Sequence, residues 1–170
     1  MLFDKSIYLK EMKSMVDKAI KNLTDNYPKF KVYSISIWTD PNAAVSAINF
    51  DTKTNSKKVV QKLNKFFKKR YDESIKEGDL EMAELYKPST NRNCNPANFK
   101  LRNFEKVIHL SIPRHWESET EGKCWKQLKP ALNKVGIYAF KKSLSLSLDD
   151  DFELRVNSDK DWYDKKWTLK

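Results

Sequence analysis

The segment from residue 5 to 26 carries Tyr8, Met12, Met15, Ala19 and Leu23 at intervals of four, three, four and four, with Leu9, Val16 and Ile20 alongside. That period predicts an amphipathic helix with one buried stripe, and the lysines at 5, 10, 13, 18 and 21 fall mostly off it. Asn26-Tyr27-Pro28 closes the helix. The period then changes to two. Tyr33, Ile35 and Ile37 alternate with Ser34 and Ser36, and after the turn residues Asp40-Pro41-Asn42 a second apolar run extends from Ala43 to Phe50. Together they predict a β-hairpin with one face on a core. Helical spacing returns at Val59, Val60, Leu63, Phe66, Phe67 and Tyr71, behind the capping residues Asp51 and Thr52, and predicts a second helix to about residue 77.

Residues 86–99, rich in Pro, Ser, Asn and Thr and without apolar period, predict a loop insertion. Phe104 to Ile112 reads as a strand stopped by Pro113, and residues 117–139 as a third helix that Pro130 bends or interrupts. Leu144, Leu146 and Leu148 alternate with serines, Asp149-Asp150-Asp151 offer a turn, and Phe152, Leu154 and Val156 alternate in return, which predicts a second hairpin. Residues 157–170 form an aromatic C-terminal segment containing Trp162, Tyr163 and Trp167. The order α, ββ, α, loop, β, α, ββ predicts a single α+β domain over residues 1–170, a mainly antiparallel sheet with helices packed on one side.

Composition narrows the function classes. Three glycines, far below the roughly 12 expected at the usual frequency, with no two close together, exclude the phosphate-cradling loops of nucleotide-cofactor enzymes. Two cysteines, Cys94 and Cys124, make neither a disulfide scaffold nor a four-thiolate zinc site. The opening segment is charged throughout and no window reaches the ~18 apolar residues of a membrane span, so the expectation is a cytoplasmic protein without a membrane partner.

The formal net charge of +10 concentrates in the second helix, where Lys57, Lys58, Lys62, Lys65, Lys68, Lys69 and Arg70 occur with no acid between residues 52 and 71. Asp72, Glu73, Glu77, Asp79, Glu81 and Glu84 then reverse the sign. Two readings stay open: the blocks satisfy each other and the solvent, or the lysines form a basic face for phosphate or an acidic protein surface.

Candidate chemistry is sparse. His109 lies in a strand-like run and reads as a structural histidine, whereas His115, between Arg114 and Trp116, is the better titrating group. A two-histidine nuclease using both is conceivable, but their spacing does not require it. Asp149, Asp150, Asp151 and Glu153 could hold a hard cation, yet the glycine of a calcium loop is missing and an Asp-rich turn accounts for them. The sequence therefore predicts no catalytic residue, no metal and no cofactor. Trp162, Tyr163 and Trp167, bordered by charges, suit either docking on the body of the domain or a protein-binding surface.

The run VYSISIWTDPNAAVSAINFDTKTNS, flanked by two helices, resembles a small bacterial domain family of unknown function. Its members open with a helix, a strand of the form Tyr-x-Ile/Phe-x-Ile/Leu-Trp/Tyr, a turn, and a strand ending in a helix cap. The matching residues are Tyr33, Ile35, Ile37, Trp38, Asp51 and Thr52, and LSLSLDDDFELRVNSDKDW is similar to the family's closing stretch. Such domains resemble the immunity proteins of polymorphic-toxin and contact-dependent-inhibition systems. The resemblance implies a non-enzymatic cytoplasmic toxin inhibitor that binds its cognate toxin domain 1:1 and blocks its active site. Asp149, Asp150, Asp151 and Glu153, with Trp162 and Trp167, are the expected contact residues, carboxylates steering and indoles anchoring. The alternative partner is nucleic acid on the lysine run.

Overall fold

The structure, a computed structural model, describes residues 2–88 and 92–169. The first helix, α1 (Lys5–Asn26), starts where Asp4 Oδ1 accepts the amide protons of Ser6 and Ile7 at 2.9 and 3.0 Å, satisfying two of the donors a helix start leaves free. Its stripe from Tyr8 to Leu23 is buried as the period predicts. The hairpin follows as β1 (Val32–Asp40) and β2 (Val45–Asp51). Thr52 caps α2 (Lys53–Glu77), and Gly78, at φ 74°, ends it in the left-handed conformation that costs glycine little. A short α3 (Leu80–Leu85) folds back on α2. The remaining elements are β3 (Leu101–Ile108), α4 (Trp116–Glu119), α5 (Trp125–Ser143), β4 (Leu148–Val156) and β5 (Lys165–Thr168).

The strands form one sheet in the order β3-β2-β1-β4-β5, antiparallel except for the β1–β4 pair. Helices α1 and α5 lie on one face, where Ile35, Ile37, Ile48, Phe50, Phe152 and Leu154 meet Tyr8, Met12, Val16, Leu128 and Leu132. The architecture is α+β. The second helix is tied to this body through its first turn: Lys53 Nζ reaches Asp151 and Asp149, Asn55 Nδ2 donates to the Asn98 carbonyl, and Ser56 Oγ accepts the Asn93 amide proton.

Three elements differ from the sequence reading. The strand expected over 104–112 runs instead as β3 from Leu101 to Ile108, so His109 lies just beyond its end. Asp149-Asp150-Asp151 do not reverse the chain: they form a bulge in β4 between Leu148, opposite Val32, and Glu153, opposite Ser34, and the strand runs on beside β1, so the expected second hairpin is absent. Pairing of residues 153–156 with β1 carries the strand past the aspartates, whose irregular backbone is absorbed by the bulge, and Lys53 bridges the carboxylates of Asp149 and Asp151. The expected helix over 117–139 is broken at residues 120–124 and not at Pro130, which sits inside α5. Glu121 and Gly122 at φ 50° and 78° force that break, since two successive left-handed residues cannot continue a right-handed helix. Within the predicted loop 86–99, residues 89–91 lie outside the described residues and 96–98 form one 3₁₀ turn.

Trp167 pairs in register with Leu154 and lays its indole on Gly136 of α5. A Cβ at residue 136 would fall inside that ring, which is rigid and backed by the sheet. Gly136→Ala is therefore expected to destabilise by roughly 1–3 kcal/mol, as overpacking does. An uncrowded helical glycine would instead gain about 1 kcal/mol on the same change. Urea unfolding gives the sign directly, and a more stable variant would mean that the indole does not occupy this position.

Candidate functional site

Three constellations have the residue types that could carry function. The first lies on the sheet face away from α1 and α5, around a cavity of about 680 Å³. Its hub is Glu153, which faces Ser34 across the β1–β4 ladder. Arg155 bonds its carboxylate through Nε at 2.8 Å and through Nη2, Arg92 Nε lies at 3.7 Å and Lys166 Nζ at 3.8 Å. Arg92 also stacks 3.6 Å from the Tyr33 ring centroid and donates to the Tyr33 carbonyl, Ser34 Oγ and the Asp151 carbonyl. Burial alone would raise the Glu153 pKa, but the Arg155 bond and the three cations outweigh it and hold the carboxyl below its usual range.

Cys94 sits beside this cluster and donates its S–H to the Arg92 carbonyl. Burial pushes its thiol up despite the nearby Arg155, so the sulfur is held as the neutral thiol, a weak nucleophile. Both guanidiniums are engaged within the protein, Arg92 with three oxygen acceptors and Arg155 with Glu153 and the Cys94 sulfur. The cluster therefore works as a clamp that fixes residues 92–99 over a buried polar face containing Ser34, Ser36, Asn49 and Asp51.

The second constellation has the connectivity of a catalytic triad. Ser46 Oγ lies 2.7 Å from His109 Nε2, and His109 Nδ1 lies 2.6 Å from Glu11 Oε2. A carboxylate at Glu11 can only accept, so Nδ1 carries the proton and Nε2 accepts from the Ser46 hydroxyl. Ser46 then accepts from Thr39 Oγ1 at 2.6 Å, which accepts from the Tyr8 hydroxyl at 2.8 Å. Ser111 Oγ and the Leu110 amide complete the Glu11 carboxylate. Burial pushes the histidine pKa down, against the opposing bond and charge of Glu11. No substrate reaches this serine: Ser46 and the His109 side chain are both 0% exposed. The chain is a satisfied buried network, and His109 is a structural histidine as expected, although it sits just past the end of β3 and not inside a strand. His115 is exposed at the start of α4 and does not join it.

The third is the α2–α3 hairpin. The seven basic residues Lys57 to Arg70 are all exposed, and Lys58, Lys62, Lys65 and Lys69 fall on one stripe at helical spacing. Lys68, Lys69 and Arg70 pair with Asp72 and Glu73 at 3.5–3.9 Å, whereas Lys57, Lys58, Lys62 and Lys65 have no carboxylate in ion-pair range among the described residues. Only Ser56 and Ser74 of α2 are buried. Leu63, Ile75, Leu80 and Met82 are exposed, Phe66 at 53% and Leu85 at 73%.

The contact residues expected from the sequence are not brought into one patch. Asp149 and Asp151 are held by Lys53, Asp150 is exposed, and Glu153 is the hub of the clamp. Trp167 faces α5 on the opposite side of the sheet from Glu153, while Trp162 is half exposed and meets Trp38 edge-on. Among the described residues no group of three or more His, Cys, Asp or Glu could hold a metal ion, and no helix is long and apolar enough to cross a membrane. Comparison with family models, with curated proteins and with solved structures found no match to this chain.

Proposed function

We propose that this protein is a non-enzymatic cytoplasmic binding protein of the immunity type, which neutralises a cognate toxin domain through a 1:1 complex gripped by the α2–α3 hairpin. One observation supports this reading. The body of the domain has a full core without α2, yet α2 keeps an apolar edge, Leu63 and Phe66 continued by the Tyr86 ring, that the fold leaves open. Large apolar side chains grouped on a projecting element mark interaction surfaces. Unpaired lysines border that edge, so the partner surface is acidic around an apolar groove, the arrangement that steers association and rejects basic competitors. Of the β4 carboxylates, Asp149, Asp151 and Glu153 are engaged in ion pairs within the domain, and Asp150 alone is too little for an anchor.

The test takes as the toxin the C-terminal domain of a secreted protein, should the gene immediately upstream encode one; its absence there would count against the reading. Co-expression should protect cells from that domain, and Leu63→Asp with Phe66→Asp should weaken the complex by roughly 100-fold or more, the size of effect of a lost hot spot. Both positions are exposed, so the folded body should be preserved, which circular dichroism checks. Protection that survives the double substitution overturns the placement. The lysine stripe also suits a phosphate backbone; a nanomolar complex with RNA or DNA at ~150 mM salt, with the steep salt dependence of phosphate contacts, would replace the immunity reading by nucleic-acid binding.

A further inference from the structure

At the end of the sheet opposite the start of α2, the β1–β2 turn, α4 and the segment after β4 enclose a cavity of about 400 Å³, within the size range of small-ligand sites. Two of its walls are indoles. Trp38 and Trp162 stand at 88° with ring centroids 6.0 Å apart, forming a corner, and Trp162 remains 50% exposed. A third indole, Trp125, is buried and donates from Nε1 to Glu117 Oε1 at 2.6 Å, while Asn42 Nδ2 contacts Glu117 Oε2 at 3.4 Å, so that carboxylate is fixed in the wall.

The charge of the lining opposes that of the chain. Asp40, Glu117, Asp159 and Asp161 face the cavity with Lys160 as the single basic lining residue, in a protein of net charge +10. Asp159 is neutralised by Lys129 at 2.7 Å. Asp40 and Asp161 are not: Oδ1 of each accepts backbone amide protons, and Oδ2 of each has no hydrogen-bond partner among the described residues. Indole faces attract cations through the ring quadrupole, and two faces at a right angle with carboxylates behind them form the corner that recognises guanidinium or alkylated ammonium groups. An anion is repelled here, and a purely apolar ligand gains nothing from the carboxylates.

We propose that the Trp38–Trp162 cavity binds an organic cation, the guanidinium of an arginine side chain or an alkylated ammonium, in the corner beside the edge contact of its two indoles. The site is remote from the first turn of α2, and the proposal does not rest on the immunity reading. Its probes are choline, the neutral isostere of choline with carbon in place of nitrogen, and N-acetylarginine amide, each titrated into ¹⁵N-labelled protein while the indole N–H signals of the five tryptophans are followed. Choline or the arginine amide should shift the Trp38 and Trp162 signals saturably, with a dissociation constant of about 1 mM, and the isostere should bind at least about tenfold more weakly. Tighter binding of the arginine amide assigns the cation to a partner's side chain, and tighter binding of choline to a free alkylated ammonium; either supports the cation site. Trp162→Phe should retain most of the affinity and Trp162→Ala should lose it, the same spectra reporting that both variants are folded. Equal affinity for choline and its isostere, no saturable shift up to about 20 mM of either cation, or binding unchanged in Trp162→Ala would each overturn the proposal.

Discussion

Glu153→Ala is expected to lower the stability of the domain by about 3 kcal/mol, the lower end of the cost of breaking a buried ion pair. The lower end applies because the three groups keep some contact with water: the side chains of Arg92, Arg155 and Glu153 are 10%, 20% and 16% exposed. The loss arises from what remains. Removing the carboxylate leaves two guanidiniums facing each other over β1 and β4 with no counter-ion between them, and Lys166 adds a third positive charge. Glu153→Gln should cost less, since its amide oxygen still accepts from Arg155 although the charge is gone. Asp150→Ala, at an exposed position of the same strand, should change stability by no more than ~0.5 kcal/mol. Acid reports the same contact. The folded-state pKa of Glu153 lies below its unfolded value, so its contribution is complete above about pH 4.3 and is lost as pH falls through the folded value. Urea midpoints for wild type and Glu153→Gln should converge on acidification through that window. A Glu153→Ala variant within 1 kcal/mol of wild type at pH 7 would show that the cluster does not hold residues 92–99 in place.

The elements that were legible in the sequence are those whose partners are near in sequence or whose period is long. The α1 stripe spans about four turns and is buried as its spacing requires, and the first hairpin needs only the Asp40-Pro41-Asn42 turn and two alternating runs. Residues 144–156 mislead because their turn chemistry is local, whereas the strand that β4 meets, β1, lies more than a hundred residues earlier in the chain. The same distance hides the sites. Glu11 and Ser46 meet His109 across 98 and 63 residues, and Arg92 reaches Asp151 across 59; no local spacing carries that information. In α2 the period is plain in the sequence, but a 3.6-residue stripe is the same whether it meets a core or a partner. What decides is the length of the covering element, and α3, six residues long, covers only part of a helix of 25.

The buried Ser46–His109–Glu11 chain is where stability and catalysis make opposite demands, and His109→Ala separates them. Were it a working triad, losing the imidazole would abolish activity and leave the fold largely intact. Burial requires the reverse. The substitution strands the Ser46 hydroxyl, takes a charge-assisted bond from Glu11 and leaves a cavity beside Tyr8, whose ring centroid lies 4.9 Å from the imidazole. A stranded buried polar group alone costs about 1–3 kcal/mol, so the total should reach roughly 3 kcal/mol or more. Ser46→Ala should cost less, about 1–2 kcal/mol, since it leaves Thr39 and the imidazole each short of one partner. The titration carries its own sign. Burial holds the folded-state pKa of His109 below 6.5, so the unfolded chain binds the extra proton first, and wild-type stability is complete above about pH 6.5 and declines as pH falls toward the folded value. One proton limits that slope to about 1.4 kcal/mol per pH unit. His109→Ala lacks this group and should lose that decline between pH 7 and 5, while its ability to protect cells in the co-expression assay, at a temperature where it remains folded, should match wild type. A folded His109→Ala protein that no longer protects would place the imidazole at a working site and remove the structural account of this network.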